Sequence, residues 1–284
     1  MTNQKTNAII LVGTSSKKSK LIYEYDGQGP KNKGLVTVNT INNKPIILGI
    51  LTALHNSDYI NQNRIGVVGP KNELEKIINH DTRIIEEEST IFENAKKAYN
   101  EISPNGEKTF FITCDVPFIT SEPINKFISK CENYDEDFYF GLVNIKNIPP
   151  ETEQLKKSMK FHLKGKGYYR AGNMFMIKGK KIKDSELIAS QIESAFEKRR
   201  TANFFARLEL YASLAKPYWK EFLIHAGGFL TEQKVEYAIK REVGIDIKLI
   251  DIKDPRIAVD IDYQRDYDYI KKNYPKIKKI LDNK

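Results

Sequence analysis

The chain has few of the residues that build thiolate or imidazole sites. Only two of its 284 residues are cysteine, Cys114 and Cys131, and only four are histidine. The two cysteines lie far apart and form no metal-binding or redox motif, so we expect no metal or redox centre built on cysteine. The histidines are scattered, and none has a nucleophile and an acid at a recognisable spacing. This pattern argues against a His-based hydrolase.

Long hydrophobic runs are also missing. No apolar run approaches the roughly 18–20 residues that a membrane span requires. The apolar stretch at 8–12 is too short for a secretory signal, so we expect a cytoplasmic protein. The sequence contains no internal repeat and no low-complexity linker. With 40% hydrophobic residues, a chain of 284 residues has room for one large domain, or for one domain that carries an insertion.

Positive charge exceeds negative charge. Lysine and arginine together number 46 against 37 aspartates and glutamates, which gives a formal net charge of +9. A basic chain of this kind has affinity for anions. The lysines are spread through the sequence and many alternate with acids, instead of forming a tract. This distribution favours phosphorylated small molecules as partners, and we expect no nucleic-acid partner.

Short apolar strands alternate with amphipathic helices through residue 145. The predicted strands cover residues 8–12, 65–68, 83–86, 110–114 and 138–143, and the predicted helices cover 45–54, 72–79, 90–102 and 123–131. Such alternation at short intervals predicts a parallel sheet with helices on its faces.

The second half of the chain is less regular. Strands are predicted at 169–177, 245–251 and 258–261, a closing helix at 267–281, and mostly helical structure over 184–243. We interpret 184–243 as an insertion within a single domain that spans residues 1–284. The predicted fold class is therefore a three-layer α/β/α sandwich with a mostly parallel sheet and a helical insertion.

One predicted strand leads directly into an acid. Residues 110–114 are a continuous apolar run, typical of a strand that is buried on both faces of a parallel sheet. Asp115 follows, and Pro117 ends the strand. Ligands of open α/β sheets sit just beyond the carboxyl ends of the strands, where a carboxylate is a natural ligand for a hard cation that carries phosphates. The alternative is that Asp115 only caps the following turn.

The first predicted strand is followed by a loop that begins with Gly13 and Thr14. Backbone N–H groups of such a loop can cradle phosphates, and Lys33 adds positive charge nearby. A single glycine is a weak signal, and a solvated loop is the alternative. The combination with the later motifs strengthens the phosphate interpretation.

Several short motifs in a fixed order resemble those of a known family. They are Ile9-Ile10-Leu11-Val12-Gly13, Lys33-Gly34-Leu35, Asn43-Lys44-Pro45-Ile46, Cys114-Asp115-Val116-Pro117-Phe118-Ile119, Gly172-Asn173-Met174-Phe175 and Asp260-Ile261-Asp262-Tyr263-Gln264-Arg265-Asp266-Tyr267. With these motifs the chain resembles the nucleotidyltransferase superfamily typified by the molybdenum cofactor guanylyltransferases, the MobA-like NTP transferases. The resemblance runs from about residue 7 to 182 and again from 245 to 272.

The resemblance implies a set of site residues. Asp115 would hold the catalytic Mg²⁺ together with an acid of the last motif in this series, residues 260–267, which we call the late motif. Within it, Asp262 is the better match and Asp260 is the second choice. Lys33 corresponds to the signature lysine of the family, which meets the nucleotide phosphates. The resemblance further implies nucleotide contacts at Val12, Gly13, Thr14, Glu88, Ser89 and Asn94, and acceptor contacts at Gly172 and Asn173.

The resemblance also implies a reaction. A phosphate oxygen of a phosphorylated acceptor would attack the α-phosphate of an NTP, and pyrophosphate would leave. Such an acceptor is already an anion at neutral pH, so positioning, metal and lysine charge can carry most of the catalysis.

Two alternatives to this reaction stay open. The first loop lacks the paired glycines of the family and the arginine that precedes its lysine, which leaves a non-catalytic nucleotide-binding protein as one alternative. The other is a glycosyltransferase of related architecture that uses a nucleotide sugar. Such enzymes usually carry an Asp-x-Asp motif in mid-chain, whereas Asp260 and Asp262 lie near the C-terminus.

The predicted insertion contains a stretch, residues 196–223, in which basic and aromatic side chains are mixed. We expect this stretch to pack against its own domain or to form a homodimer contact. Attachment to an anionic membrane surface is the alternative.

Overall fold

A computed structural model describes residues 5–12, 22–23, 30–38, 44–79, 82–155, 160–178 and 231–283. Most of the predicted insertion lies outside these ranges, and so does the basic aromatic stretch at 196–223. Gly13 and Thr14 of the predicted phosphate loop lie outside them as well.

The described residues form ten strands. They are β1 (Thr6–Leu11), β2 (Ile22–Tyr23), β3 (Pro30–Lys31), β4 (Ile60–Gly69), β5 (Arg83–Glu86), β6 (Thr109–Thr113), β7 (Phe138–Asn144), β8 (Lys160–Leu163), β9 (Gly167–Ile177) and β10 (Ile247–Asp251).

The same ranges contain six α-helices and several short 3-10 helices. The α-helices are α1 (Ile46–His55), α2 (Lys71–Leu74), α3 (Ile91–Ile102), α4 (Ser121–Cys131), α5 (Glu232–Val243) and α6 (Gln264–Asp282). The 3-10 helices are Lys33–Leu35, Ile145–Asn147, Pro150–Leu155 and Pro255–Ala258. Every helix in the described ranges is too short or too polar to cross a lipid bilayer.

Eight of the strands form one mostly parallel sheet. Its order is β10-β7-β9-β6-β1-β4-β5, and β8 pairs with β9. Each antiparallel pair within it involves β9, which lies against β6, β7 and β8. The carboxyl ends of the parallel strands therefore meet at one edge of the sheet, which is where open α/β sheets bind ligands.

Helices cover both faces of the sheet. Strand β1 is buried along its whole length, as expected for a central strand of a sheet that is covered twice. One face packs against α1, α4 and α6 in the larger core cluster. The other face packs against α3. The predicted three-layer α/β/α class with a mostly parallel sheet is confirmed.

One predicted strand is absent. Residues 258–261 were expected to form a strand, but the segment is a 3-10 helix at Pro255–Ala258 followed by irregular backbone. Its apolar side chains Ile257, Val259 and Ile261 are fully buried, which explains the strand-like pattern. The amide of Ile261 donates to the carbonyl of Asp115, at 3.0 Å, instead of to a neighbouring strand.

The predicted helix at 72–79 is also shorter than expected. It is a single turn, Lys71–Leu74, followed by turns that bury Ile78. Conversely, β4 starts at Ile60, five residues before the predicted strand. Its polar stretch 61–64 is largely solvent-facing, so the apolar pattern did not reveal it.

Candidate active site

The site forms where the two central strands β1 and β6 end side by side. Leu11 lies opposite Thr113 in the parallel ladder between them, so Val12 and Asp115 leave the sheet at the same edge. The hydroxyl of Thr113 donates to Asp115 Oδ1 at 2.7 Å. This bond orients the carboxylate and leaves Oδ2 to face its other neighbour, Lys33.

Lys33 is held at this edge by the short 3-10 helix that it begins. The side chain of Asn32 accepts from the amide of Gly34 at 2.9 Å and donates to the carbonyl of Val12. Gly34 fits closely against the strand ends, since a Cβ at this position would lie 2.9 Å from Val12 Cγ1 and 3.0 Å from Cys114 Cβ. The backbone of Lys33 is therefore fixed against both central strands.

The ammonium group of Lys33 lies between two acids. Its Nζ is 3.5 Å from Asp115 Oδ2 and 3.3 Å from Asp262 Oδ1. The side chains of Lys33 and Asp115 are only 11% and 15% exposed, whereas that of Asp262 is 43% exposed. Lys33 thus bridges Asp115, at the end of β6, and Asp262, in the late motif.

The late motif is anchored at both ends. On one side, Ile261 donates to the carbonyl of Asp115. On the other, the carboxylate of Asp266 accepts from the amides of Asp262 and Tyr263, at 3.1 and 2.8 Å. These bonds cap the start of α6 and hold the acids of the motif against the end of β6.

Three carboxylates converge at this point. Oxygen atoms of Asp115, Asp260 and Asp262, all of them partly buried, lie within 4.8 Å of one another. Carboxylate oxygens at this spacing are the donor set that a hard divalent cation prefers. The structure thus brings together all three acids that the resemblance proposed as metal ligands.

A buried arginine completes the site. Arg170, in β9, is 2% exposed and its Nη2 lies 3.0 Å from Asp260 Oδ1, while Asp260 is 13% exposed. Its Nε is buried without a hydrogen-bond partner among the described residues. The sequence analysis did not predict Arg170 as a residue of the site. The available signal was a charged residue within an apolar strand, because an arginine is rarely buried unless it is paired.

The charges of the site shift two pKa values. Burial lowers the pKa of Lys33, but the Asp115 and Asp262 carboxylates more than offset this effect, so the pKa lies above its ordinary value. Burial, followed by the neighbouring charges of Asp262 and Asp115, raises the pKa of Asp260 to about 7, although Arg170 opposes the shift. Lys33 therefore stays charged, and Asp260 gains a proton far more readily than an ordinary aspartate.

The predicted base contacts lie farther along the same edge. Glu88 and Ser89 follow β5, which is two strands from β1 and therefore about 10 Å away. Asn94 is buried in α3, where its side chain accepts from the amide of Glu88. Ser89 donates to Glu93 at 2.6 Å. Asn94 thus shapes the loop that presents Glu88 and Ser89, and none of the three belongs to the acid cluster.

Three other predicted residues have clear structural roles. Val12 is buried, and its amide donates to Val68 at 2.8 Å. A Cβ on Gly172 would lie 2.7 Å from Ile257 Cδ1, so the glycine allows close approach of the late loop. Asn173 donates to the carbonyl of Ile257 at 3.2 Å. The Gly172-Asn173 pair therefore supports the segment that leads to Asp260.

Solved structures share this fold at low sequence identity. A hypothetical transferase from Thermus thermophilus is 19% identical with a TM-score of 0.71, over 93% of this chain and 100% of that one. A CMP:2-keto-3-deoxy-manno-octonic acid synthetase in complex with CTP is 8% identical with a TM-score of 0.52, over 96% and 99%.

A 4-diphosphocytidyl-2C-methyl-D-erythritol synthase from Anaerococcus prevotii is 11% identical with a TM-score of 0.50, over 96% of this chain and 97% of that one. No protein-family model and no curated protein sequence matches the chain. The fold is thus the one that these transferases and synthases share. The narrower resemblance to the MobA-like branch stays a prediction.

Proposed function

We propose that the protein is a Mg²⁺-dependent nucleotidyltransferase that joins an NTP to a phosphorylated small-molecule acceptor. An acceptor phosphate oxygen forms a new bond to the α-phosphorus, the bond between the α-phosphorus and the β-bridging oxygen breaks, and pyrophosphate leaves with the electron pair. The observation that carries this proposal is the convergence of Lys33 with Asp115 and Asp262, at the ligand-binding edge of a fold shared with nucleotide-using synthases.

The metal requirement rests on the chemistry of the donors. Asp115 and Asp262 would hold Mg²⁺, with Asp260 as the third acid of the cluster. A bound divalent cation offsets charge on phosphoryl oxygens. The side chain of Thr113 would keep Asp115 oriented for this task through its bond to Oδ1.

The remaining roles belong to Lys33 and to the residues that would border the base and the acceptor. The ammonium of Lys33, which stays charged at neutral pH, would bind the nucleotide phosphates and offset the charge that develops there. Glu88 and Ser89 would face the base, and Gly172 and Asn173 would border the acceptor. A phosphorylated acceptor supplies its own anionic nucleophile, so this scheme requires no general base.

The identity of the nucleotide is best tested first with CTP. One structural neighbour is solved with CTP, and the name of another contains a diphosphocytidyl group. A thermal-shift screen of the four NTPs with and without Mg²⁺ would select the ligand, because a nucleotide at 100 times its Kd adds about 2.7 kcal/mol of stability.

Asp115→Asn is the central test of activity. We expect it to keep the fold and to lower metal-dependent pyrophosphate release, measured across a panel of phosphorylated acceptors, by at least a hundredfold, since a neutral amide is a poor ligand for a hard cation. The matched control is Asp58→Asn, an exposed acid that precedes β4 at the opposite edge of the sheet. Normal turnover by Asp115→Asn would show that Asp115 only caps the following turn.

Other outcomes of the same assay separate the alternatives. Turnover of a nucleotide sugar without pyrophosphate release would identify a glycosyltransferase. Tight NTP binding without turnover on any acceptor would identify a non-catalytic nucleotide-binding protein.

A further inference from the structure

Lys33 occupies the position where the proposed metal would act. Its Nζ contacts the same two carboxylates, Asp115 and Asp262, that are the preferred metal ligands. Mg²⁺ binds oxygen at about 2.1 Å. An ion bound to Asp115 Oδ2, which is 3.5 Å from Nζ, would therefore lie at most about 5.6 Å from the ammonium. Two cations this close in a partly buried site repel each other strongly.

The charge balance of the site also disfavours binding of a metal ion in the absence of nucleotide. The carboxylates of Asp115 and Asp262 and the ammonium of Lys33 leave one net negative charge. A divalent ion alone would reverse it to one net positive charge. Arg170 pairs with Asp260 and carries at least as much positive charge as that acid carries negative charge, so the third acid adds no net negative charge to this balance. A triphosphate makes the balance negative again, because it carries several negative charges, and its oxygens are acceptors for both the ammonium and the metal.

The ammonium of Lys33 can leave the acids without a change in the backbone. Its backbone is held between Asn32 and Gly34 against the two central strands, whereas a lysine carries its charge on a flexible four-carbon stem. Departure of the ammonium from the acids therefore requires a side-chain rotation and no backbone change.

We propose that Lys33 serves as the resident cation of the free enzyme and that the metal enters only together with the triphosphate. In that complex the triphosphate oxygens would bind the ammonium of Lys33, and the carboxylates of Asp115 and Asp262 would hold the metal. The substrate of the free enzyme is thus the metal–nucleotide complex, and the bare metal ion binds poorly. This inference rests on the function proposed above.

The test is a Mn²⁺ titration followed by electron paramagnetic resonance, with no nucleotide present. We expect Lys33→Met to bind Mn²⁺ at least tenfold more tightly than the wild type, because the competing cation is gone. The matched control is Lys278→Met, which removes a charge from an exposed ion pair with Asp282 on α6 and should bind Mn²⁺ as the wild type does. Lys33→Gln replaces Lys33→Met if the latter fails to fold.

A second readout is thermal melting with and without Mn²⁺. Mn²⁺ should raise the melting temperature of Lys33→Met by more than that of the wild type, since at a given concentration a ligand with a lower Kd for the folded state stabilises it more. Adding Asp115→Asn to the Lys33→Met variant should abolish the tight Mn²⁺ binding, which would assign the ion to the acid cluster.

The possible failures are distinguishable. If the wild type binds Mn²⁺ as tightly as Lys33→Met, and Asp115→Asn abolishes both, the metal site stands and competition by Lys33 is refuted. If neither protein binds Mn²⁺ alone but both bind it together with an NTP, competition by Lys33 is refuted and the metal site stands. If neither binds Mn²⁺ even together with an NTP, the metal site itself is refuted, and so is the metal dependence of the function proposed above.

Discussion

Replacement of Asp260 by asparagine should make the stability of the metal-free protein less sensitive to a rise in pH from 5 to 8. Asp260 is a nearly buried carboxyl beside two other acids, and its pKa is raised to about 7 from an ordinary value of 3.8. Asp260→Asn keeps the shape and an oxygen that can accept from Arg170, but it carries no charge at any pH. The variant therefore reports what ionisation of Asp260 costs the fold.

The sign of the effect follows from proton binding. Between pH 3.8 and about 7 the folded protein keeps a proton on Asp260 that the unfolded chain has released. Stability from this group is present below the unfolded pKa and is lost as pH rises through the folded pKa. At about 1.4 kcal/mol per pH unit, the wild type should lose roughly 2–3 kcal/mol relative to Asp260→Asn between pH 5 and pH 8.

The assay is urea unfolding of both proteins at pH 5, 6, 7 and 8 in the presence of EDTA. The control variant is Asp282→Asn, which removes an exposed acid at the end of α6 and should track the wild type. Unfolding free energies of the wild type and Asp260→Asn that run parallel across this pH range would show that Asp260 is ionised in the free protein without cost. The reasoning about the acid cluster would then be wrong.

Two further changes test how the site is supported. Gly34→Ala should lower the free energy of unfolding by about 1–3 kcal/mol, because its Cβ would meet Val12 and Cys114 at about 3 Å; an unchanged urea midpoint would contradict the close fit. Arg256→Met should cost about 3–5 kcal/mol in the same assay, since it leaves the buried carboxylate of Asp254 without its 2.7 Å ion pair; a loss below about 1 kcal/mol would mean that this pair carries little stability.

Several elements were predictable because their causes are local. The apolar run at 110–114 predicts a buried strand, and β6 occupies Thr109–Thr113. Helix α3 starts after Thr90, whose side chain and that of Glu93 form a capping box, an interaction between residues three positions apart. The position of Asp115 just beyond the end of this strand follows from the same local pattern.

The sequence pattern misled where burial had another origin. The apolar residues of 258–261 predict a strand, because a short apolar run is typical of a buried strand. In the fold they anchor a loop whose amide at Ile261 bonds to Asp115. The pattern of apolar residues in a sequence indicates which side chains are buried. It does not indicate which groups the backbone amides and carbonyls bond to.

By itself, the sequence determined the alternation of strands and helices, the class of the sheet and the acids that could bind a metal. The tertiary structure decided which charges meet. Lys33 and Asp262 are separated by 229 positions, and Arg170 and Asp260 by 90, yet each pair is in contact. These contacts depend on the strand order, which places β9 beside β6, and on a loop that folds back over the end of β6. Helix and strand signals act over a few residues, whereas the balance of charge in this site is set by groups that only the folded chain brings together.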